Sequence, residues 1–381
     1  MESVIVEEVL KKKELPKLSV ILPVFNGEKY VERTISNLLK STYQNIELII
    51  IDDGSKDKSL EICKRYSNLD TRVKVYHKEN EGVALARYYG LKYATGEYVG
   101  FCDQDDEISN KMYQQMMERI LMDGSNAALC GTYRKKQNGE SVVFEKFRDK
   151  IYDKNDIEEK LLLPMLFKGF AEYNNKEINI YTSIWKCIIS KRLIDEKNFQ
   201  FYGFINYEDD LVMLIQLFLN ADKISTLSNV LYFWNTNSSS ETYQCRGRYN
   251  ANLEIKQQNL LNYITKELLN YGISDSIVNK LKYVMHCRNV LLLIDNLVLI
   301  KDINFSKKIK IIRKNKSVLF IQSDKYAVKS EKGFIRNCII IQLVRKKFFI
   351  CSYVFNKYIN CIRYWVEKNP LMERLERKMK G

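Results

Sequence analysis

From Leu18 to Cys102 the chain alternates two patterns of apolar residues. Short unbroken runs, Leu18-Ser-Val-Ile-Leu-Pro-Val24, Glu47-Leu-Ile-Ile-Ile51, Val73–Tyr76 and Tyr98-Val-Gly-Phe-Cys102, read as strands covered on both faces. Between them, Tyr30–Leu39, Lys58–Tyr66 and Val83–Tyr93 read as helices, the first with apolar residues at helical spacing. Asp57 or Ser55 is placed to cap the second helix. The first two runs close on turn signals, Phe25-Asn-Gly27 and Asp52-Asp-Gly-Ser55. Strands separated by helices predict parallel pairing with right-handed crossovers, hence an α/β fold with a mostly parallel, Rossmann-like sheet flanked by helices.

The middle of the chain is less regular. Asn110–Met122 reads as a helix, and Ala127–Tyr133 and Ser141–Phe144 as two strands paired around Asn138-Gly139. Val212–Leu219 is helix-like, and past about Asn250 helical spacing dominates, with Leu260, Ile264 and Leu268 on one face and a further helix over Tyr283–Ile300. No repeat, low-complexity tract or proline-rich linker interrupts the 381 residues.

The chemistry concentrates at the predicted strand ends, where α/β sheets bind ligands. Asp103-Gln104-Asp105 sets two carboxylates two residues apart, an arrangement that suits Mg2+ or Mn2+ completed by phosphate oxygens and water, or else a solvated acidic turn. An EF-hand is excluded, because Ile108 occupies the loop position that needs glycine. Asp52-Asp53 offers acceptors for a base N–H or ribose hydroxyls, with a helix start following. Glu208-Asp209-Asp210 opens a helix; mutual repulsion there raises the pKa of one acid and so provides a general base, or the acids simply favour the helix dipole.

Taken together, five landmarks resemble the inverting glycosyltransferases of family 2, of the bacterial capsule and cell-surface polysaccharide type, with the GT-A fold. They are Val20-Ile-Leu-Pro-Val-Phe-Asn26, Ile49-Ile-Ile-Asp-Asp-Gly-Ser-Lys-Asp57, Asn80-Glu-Gly-Val-Ala-Leu-Ala-Arg87, Gly96-Glu-Tyr-Val-Gly-Phe-Cys-Asp-Gln-Asp-Asp106 and Tyr207-Glu-Asp-Asp210. The resemblance implies that Pro23, Phe25, Asp52, Asp53, Arg87, Asp103 and Gln104 bind a nucleotide sugar. It further implies that Asp105 with Asp103 holds Mn2+ or Mg2+, and that Asp209 is the base for an acceptor hydroxyl of a glycan or lipid-linked acceptor. Glu208 and Asp210 are near neighbours of that base. Trp234-Asn235 replaces a frequent Tyr-Arg pair, a loss for which Arg246 or Arg248 can substitute. Ser41, Glu81 and Tyr88 also depart from the family pattern. The implied organisation is an extension over residues 1–16, a GT-A domain over 17–245 with its nucleotide half ending near 110, a helical region over 246–330 and a basic tail over 331–381. The alternative reading is a non-catalytic sugar-nucleotide-binding or scaffolding protein on the same fold.

Charge adds a second theme. The formal net charge is +14, but Lys301–Gly381 holds 21 Lys and Arg against 6 Asp and Glu, a net of +15, while the first 300 residues hold 40 against 41, a net of −1. Phe334–Trp365 mixes aromatic and aliphatic residues with six cations, so as a helix it is amphipathic, suited either to an anionic membrane surface or to packing on the domain. No nucleic-acid motif accompanies the charge. Nine scattered cysteines without CxxC spacing, and an N-terminus without a signal-peptide pattern, lead to the expectation of a cytoplasmic protein, peripheral on the inner membrane face if the tail binds lipid. Trp185 reads as a core residue, Tyr202 as a residue of the acceptor side.

Overall fold

A computed structural model of the chain describes residues 15–135, 140–168, 180–201, 208–236, 252–323 and 335–357. The chain divides into two compact units, Met1–Leu166 with Asn175–Asn237 and Phe167–Asn174 with Ser238–Gly381.

The first unit begins with the expected alternation: β1 (Leu18–Val24), α1 (Val31–Leu39), β2 (Ile46–Asp53), α2 (Ser59–Leu69), β3 (Val73–Lys78), α3 (Val83–Tyr93) and β4 (Tyr98–Phe101). These strands lie in the order β3-β2-β1-β4, all parallel, with Leu18 opposite Ile46 on one side and Tyr98 on the other. The chain leaves β1 for β2 on one side and returns from β3 to β4 on the other. That reversal places a crevice at the carboxyl ends of β1 and β4, where doubly wound sheets bind ligands.

The sheet then becomes mixed. After β5 (Glu107–Ile108) and α4 (Met112–Asp123) come β6 (Ala127–Lys135), β7 (Ser141–Glu145), β8 (Lys150–Asp153) and a helical stretch over 154–166. β9 (Cys187–Ser190), α5 (Lys191–Glu196), α6 (Asp209–Asn220) and β10 (Lys223–Asn235) complete the unit. β9 inserts between β4 and β6, antiparallel to both, so β6 and β10 run in the direction of β4. The expected β6–β7 pairing forms, antiparallel, with Tyr133 opposite Val143. Four-residue β9 left no readable period in the sequence, which is why the antiparallel insertion was not anticipated.

Two close approaches matter for function. A Cβ on Gly90 of α3 would lie 2.4 Å from Ile21 Cγ2 of β1, so only glycine lets this helix sit so low on the sheet. Arg87, one turn earlier on the same face, is thereby carried over the strand ends. On the other side of the sheet Val31, Ile35 and Leu38 of α1 and Met112, Met116 and Ile120 of α4 build the core, with Trp185 inside it, stacked on Tyr232 at 4.0 Å.

The second unit is helical: α7 (Leu253–Tyr271), α8 (Asp275–Leu299), α9 (Phe305–Lys314), α10 (Lys316–Ser323) and α11 (Ile335–Arg345), followed by helical residues 349–357. Ser274 and Asn304 cap α8 and α9 through their side chains. Ile340, Ile341, Val344, Phe349 and Tyr353 of the basic tail are buried with Val290, Ile294, Ile312 and Ile321 in one core. The tail is bent rather than one continuous helix, with Lys347 at φ 63, and its main apolar side is spent inside this unit. Phe348, Ile350 and Val354 remain exposed. Among the described residues no helix is long and apolar enough to cross a membrane.

Candidate active site

The loops after β1 and β2 are tied to each other. Asn26 N donates to Ser55 Oγ (3.0 Å), Gly27 N to Ser59 Oγ (2.8 Å), Glu28 N to Asp57 Oδ2 (3.0 Å), and Lys56 N returns to Asn26 Oδ1 (2.8 Å). Gln104 reaches across from the acidic turn and pairs with both backbone groups of Phe25, at 2.9 and 3.0 Å. Gly27 makes room for it, since a Cβ there would stand 2.3 Å from Gln104 Oε1. Pro23 is buried within β1, whereas the Phe25 ring is exposed at the rim.

Asp52 and Asp53 face inward. Asp53 accepts from Lys78 Nζ (2.7 Å), Glu81 N (3.0 Å) and Gly82 N (2.7 Å), so it holds the start of α3. Asp52 Oδ2 lies 2.6 Å from His77 Nδ1 and accepts from Ser55 N at 3.3 Å, while its buried Oδ1 has no partner among the described residues.

The turn after β4 is pinned from three sides. Tyr232 of β10 donates to Asp106 Oδ2 (2.8 Å) and accepts from Asp103 N (3.2 Å), and Asn235 N donates to Asp106 Oδ1 (2.8 Å). Arg33 Nη2 and Asn235 Nδ2 both donate to the Asp105 carbonyl at 2.8 Å, and Thr34 Oγ1 donates to Asp106 O at 2.9 Å. Burial, reinforced by Asp105 and Asp103, pushes the fully enclosed Asp106 carboxyl well above the usual range. Asp106 therefore serves the turn, leaving Asp103 and Asp105 partly exposed at its rim.

Arg87 joins this turn to α6. Its Nη2 donates to Asp103 Oδ1 (2.8 Å), and its Nη1 to Asp209 Oδ2 (2.7 Å) and Asp210 Oδ1 (2.8 Å). Glu208 precedes the helix at φ 53, a left-handed conformation unusual for its side chain, and so turns both following acids toward the arginine. One guanidinium cannot balance three carboxylates. Burial pushes the Asp210 carboxyl up to about 8 against the pull of Arg87, with Asp209, Asp103 and Glu208 adding to the rise. The elevated acid of the Glu208-Asp209-Asp210 run is thus Asp210. The second carboxylate oxygens of Asp103, Asp209 and Asp210 have no partner among the described residues, with side chains 32%, 13% and 22% exposed. With the Asp210 carboxyl pushed up, Asp103 and Asp209 are left to offer open acceptor positions beside one buried cation.

Among the described residues no three His, Cys, Asp or Glu side chains are grouped to hold a metal ion by themselves. The open Asp103 oxygen beside partly exposed Asp105 does fit an ion that takes one or two carboxylates and fills its shell with phosphate and water. Arg246, Arg248 and Tyr202 lie outside the described residues. The anchoring parts of Arg33, Thr34, Tyr232 and Asn235 had no sequence signal, because each acts on backbone or buried atoms brought together by the fold. Of the departures from the family pattern, Glu81 pairs with Lys78 at 2.8 Å and Asn235 secures the acidic turn.

Comparison with known proteins accords with this geometry. Over 229 residues the chain is 28% identical to the uncharacterized glycosyltransferase EpsJ of Bacillus subtilis, covering 60% of this chain and 63% of EpsJ. It is 29% identical, also over 229 residues, to the glycosyltransferase GlyA of Streptococcus pneumoniae, covering 59% of this chain and 31% of GlyA. The chain thus spans less than two thirds of either relative. The fold is that of S. aureus TarS residues 1–349, solved in complex with UDP-GlcNAc, which superposes with a TM-score of 0.62 at 22% identity over 90% of each chain. Residues 19–199, a span that holds the crevice, Arg87 and the acidic turn, match the family described as "Glycosyl transferase family 2".

Proposed function

We propose that this protein is an inverting glycosyltransferase that moves a sugar from a UDP-sugar to an acceptor hydroxyl. The observation that carries the reading is Arg87 gripping Asp103, Asp209 and Asp210 at the sheet's switch point while Asp103 and Asp209 each keep one oxygen open. Asp209, at the start of α6, takes the acceptor proton through its open oxygen as the acceptor attacks the anomeric carbon. A single displacement inverts the configuration there. Arg87 holds the base in place and balances its charge, and the tied loops after β1 and β2 bound the place for base and ribose. The inward use of Asp53 makes it a builder of that wall. UDP is favoured as the nucleotide because the structural neighbour TarS binds UDP-GlcNAc.

Asp105, with Asp103, would hold Mg2+ or Mn2+, which when bound neutralises charge developing on the departing diphosphate. The direct test is calorimetric titration with UDP, GDP and dTDP, with and without Mn2+. UDP binding strengthened by Mn2+ is expected; failure of all three nucleotides to bind would overturn the reading.

We further infer that the acceptor is a cell-surface glycan or glycolipid, met at the membrane. Exposed Phe348, Ile350 and Val354 stand beside exposed Lys346, Lys347 and Lys357, a pairing suited to an anionic leaflet. Because the tail's other side is core, the test reverses charge at Lys346 and Lys347 instead of truncating. Flotation with anionic liposomes should fall, and equal flotation would contradict the inference.

A further inference from the structure

Next to the acidic turn, at the carboxyl ends of β6 and β10, three aromatic rings stand together. Phe144 packs on Tyr181 with centroids 3.8 Å apart and lies 5.3 Å from Trp234, while the Arg134 guanidinium is 5.1 Å from the Trp234 ring. Arg134 and Trp234 are register partners in the parallel β6–β10 ladder. All three rings are half-buried, and Arg134 is exposed. Trp234 packs against the core on one side, and its indole N–H has no hydrogen-bond partner among the described residues.

The support beneath the rings is a fully buried ion pair. Lys186 Nζ lies 2.5 and 2.6 Å from the two oxygens of Glu145, with neither side chain exposed. The same two groups take both backbone groups of Tyr181: Tyr181 N donates to Glu145 Oε1 (2.9 Å), and Lys186 Nζ donates to Tyr181 O (2.6 Å). A buried ion pair gains little stability over apolar packing. What this one achieves is to fix a single residue at both its N–H and its C=O, and so its ring against Phe144. The same strand reaches the reaction site directly, since Asn235, the residue after Trp234, bonds the Asp105 carbonyl and the Asp106 carboxylate.

We propose that Phe144, Tyr181 and Trp234, flanked by Arg134, form the subsite on which a sugar ring of the glycan acceptor stacks. A pyranose has an apolar C–H face and a rim of hydroxyls. The ring cluster matches the face, and Arg134 with the Trp234 indole N–H offers donors to the rim. The proposal rests on the glycosyltransferase reading above and names the substrate side of that site.

The test is saturation-transfer NMR on the full chain with cellotriose, chitotriose and a glucuronate-containing trisaccharide as probes. At least one should show saturation of its ring protons. Trp234→Ala and Tyr181→Ala should weaken that binding roughly tenfold, while Tyr181→Phe, which keeps the ring, and Val142→Thr, an exposed neighbour on the hairpin, should keep it. UDP titration of each variant verifies that the nucleotide half is folded. Absence of saturation from every probe, or saturation that survives both alanine variants, overturns the subsite. Probe binding without UDP binding in the wild-type protein would instead overturn the transferase reading and leave the subsite standing.

Discussion

Two charged hubs hold the two edges of the same parallel sheet, and they are built in opposite ways. At the amino edge Glu47 of β2 is 2% exposed and accepts from Ser19 Oγ (2.6 Å), Thr95 N (2.8 Å), Lys74 Nζ (2.7 Å) and Lys17 Nζ (2.9 Å). One acid meets two cations, and both of its oxygens are engaged. At the carboxyl edge Arg87, 4% exposed, meets three acids, its Nε has no partner among the described residues, and one oxygen of each acid stays open. Burial acts to raise the pKa of Glu47 and of Asp210, but only at Glu47 do the hydrogen bonds from Lys74, Ser19, Lys17 and Thr95 overcome it, holding that carboxyl well below its ordinary value. At Asp210 burial prevails, and the carboxyl is pushed up to about 8. A satisfied hub stabilises; an over-supplied one keeps capacity for a ligand.

Breaking the carboxyl-edge hub has the largest expected effect. Arg87→Met leaves three acids without their cation, and it should abolish transfer and lower stability by about 4 kcal/mol, as removal of one partner from a buried pair does. Urea unfolding together with a transfer assay measures both. The mirror experiment, Glu47→Gln, should cost about 3 kcal/mol yet leave transfer rates of the folded enzyme unchanged. Its pH dependence has a definite sign. The folded pKa of Glu47 lies below the unfolded value of 4.5, so its contribution is complete above that pH and declines as pH falls beneath it. The melting temperatures of wild type and Glu47→Gln should therefore differ most at neutral pH and converge toward pH 2.

Smaller changes sharpen the contrast within the site. Asp105→Asn should raise the Mn2+ concentration needed for half-maximal transfer by about 10- to 100-fold without unfolding the chain, as a metal titration of activity would show. Gly27→Ala displaces Gln104 from Phe25 and should cost about 1 kcal/mol for hydrogen bonds lost at a partly exposed loop, read as a small fall in melting temperature with a weaker UDP affinity.

The parallel part of the sheet, β1 to β4, was legible in the sequence because its strands are unbroken apolar runs and its acids sit at strand ends. Val20–Asn26, Asp53 and Asp103–Asp106 declare themselves in that way. Asp209 was legible as one of three adjacent acids, but which acid would rise depended on what buries each, and only the fold brings Asp210 against Arg87. Gln104 was expected at the donor and is found holding the Phe25 backbone, a pairing 79 residues apart that no local pattern encodes. Tyr181, fixed by Glu145 and Lys186, was illegible for the same reason. The basic tail carried a true amphipathic signal; its apolar side faces its own helical unit, which charge and period alone do not distinguish from a membrane.

The most direct test of the contrast is one experiment on two variants, with turnover of UDP-GlcNAc, UDP affinity and melting temperature measured together for Asp209→Asn and Glu47→Gln. Asp209→Asn should keep UDP affinity and melting temperature near wild type and lose transfer by about a thousandfold, while Glu47→Gln should lose stability and keep transfer. Transfer surviving in Asp209→Asn, or lost in folded Glu47→Gln, would contradict the assignment of catalysis to the carboxyl-edge hub.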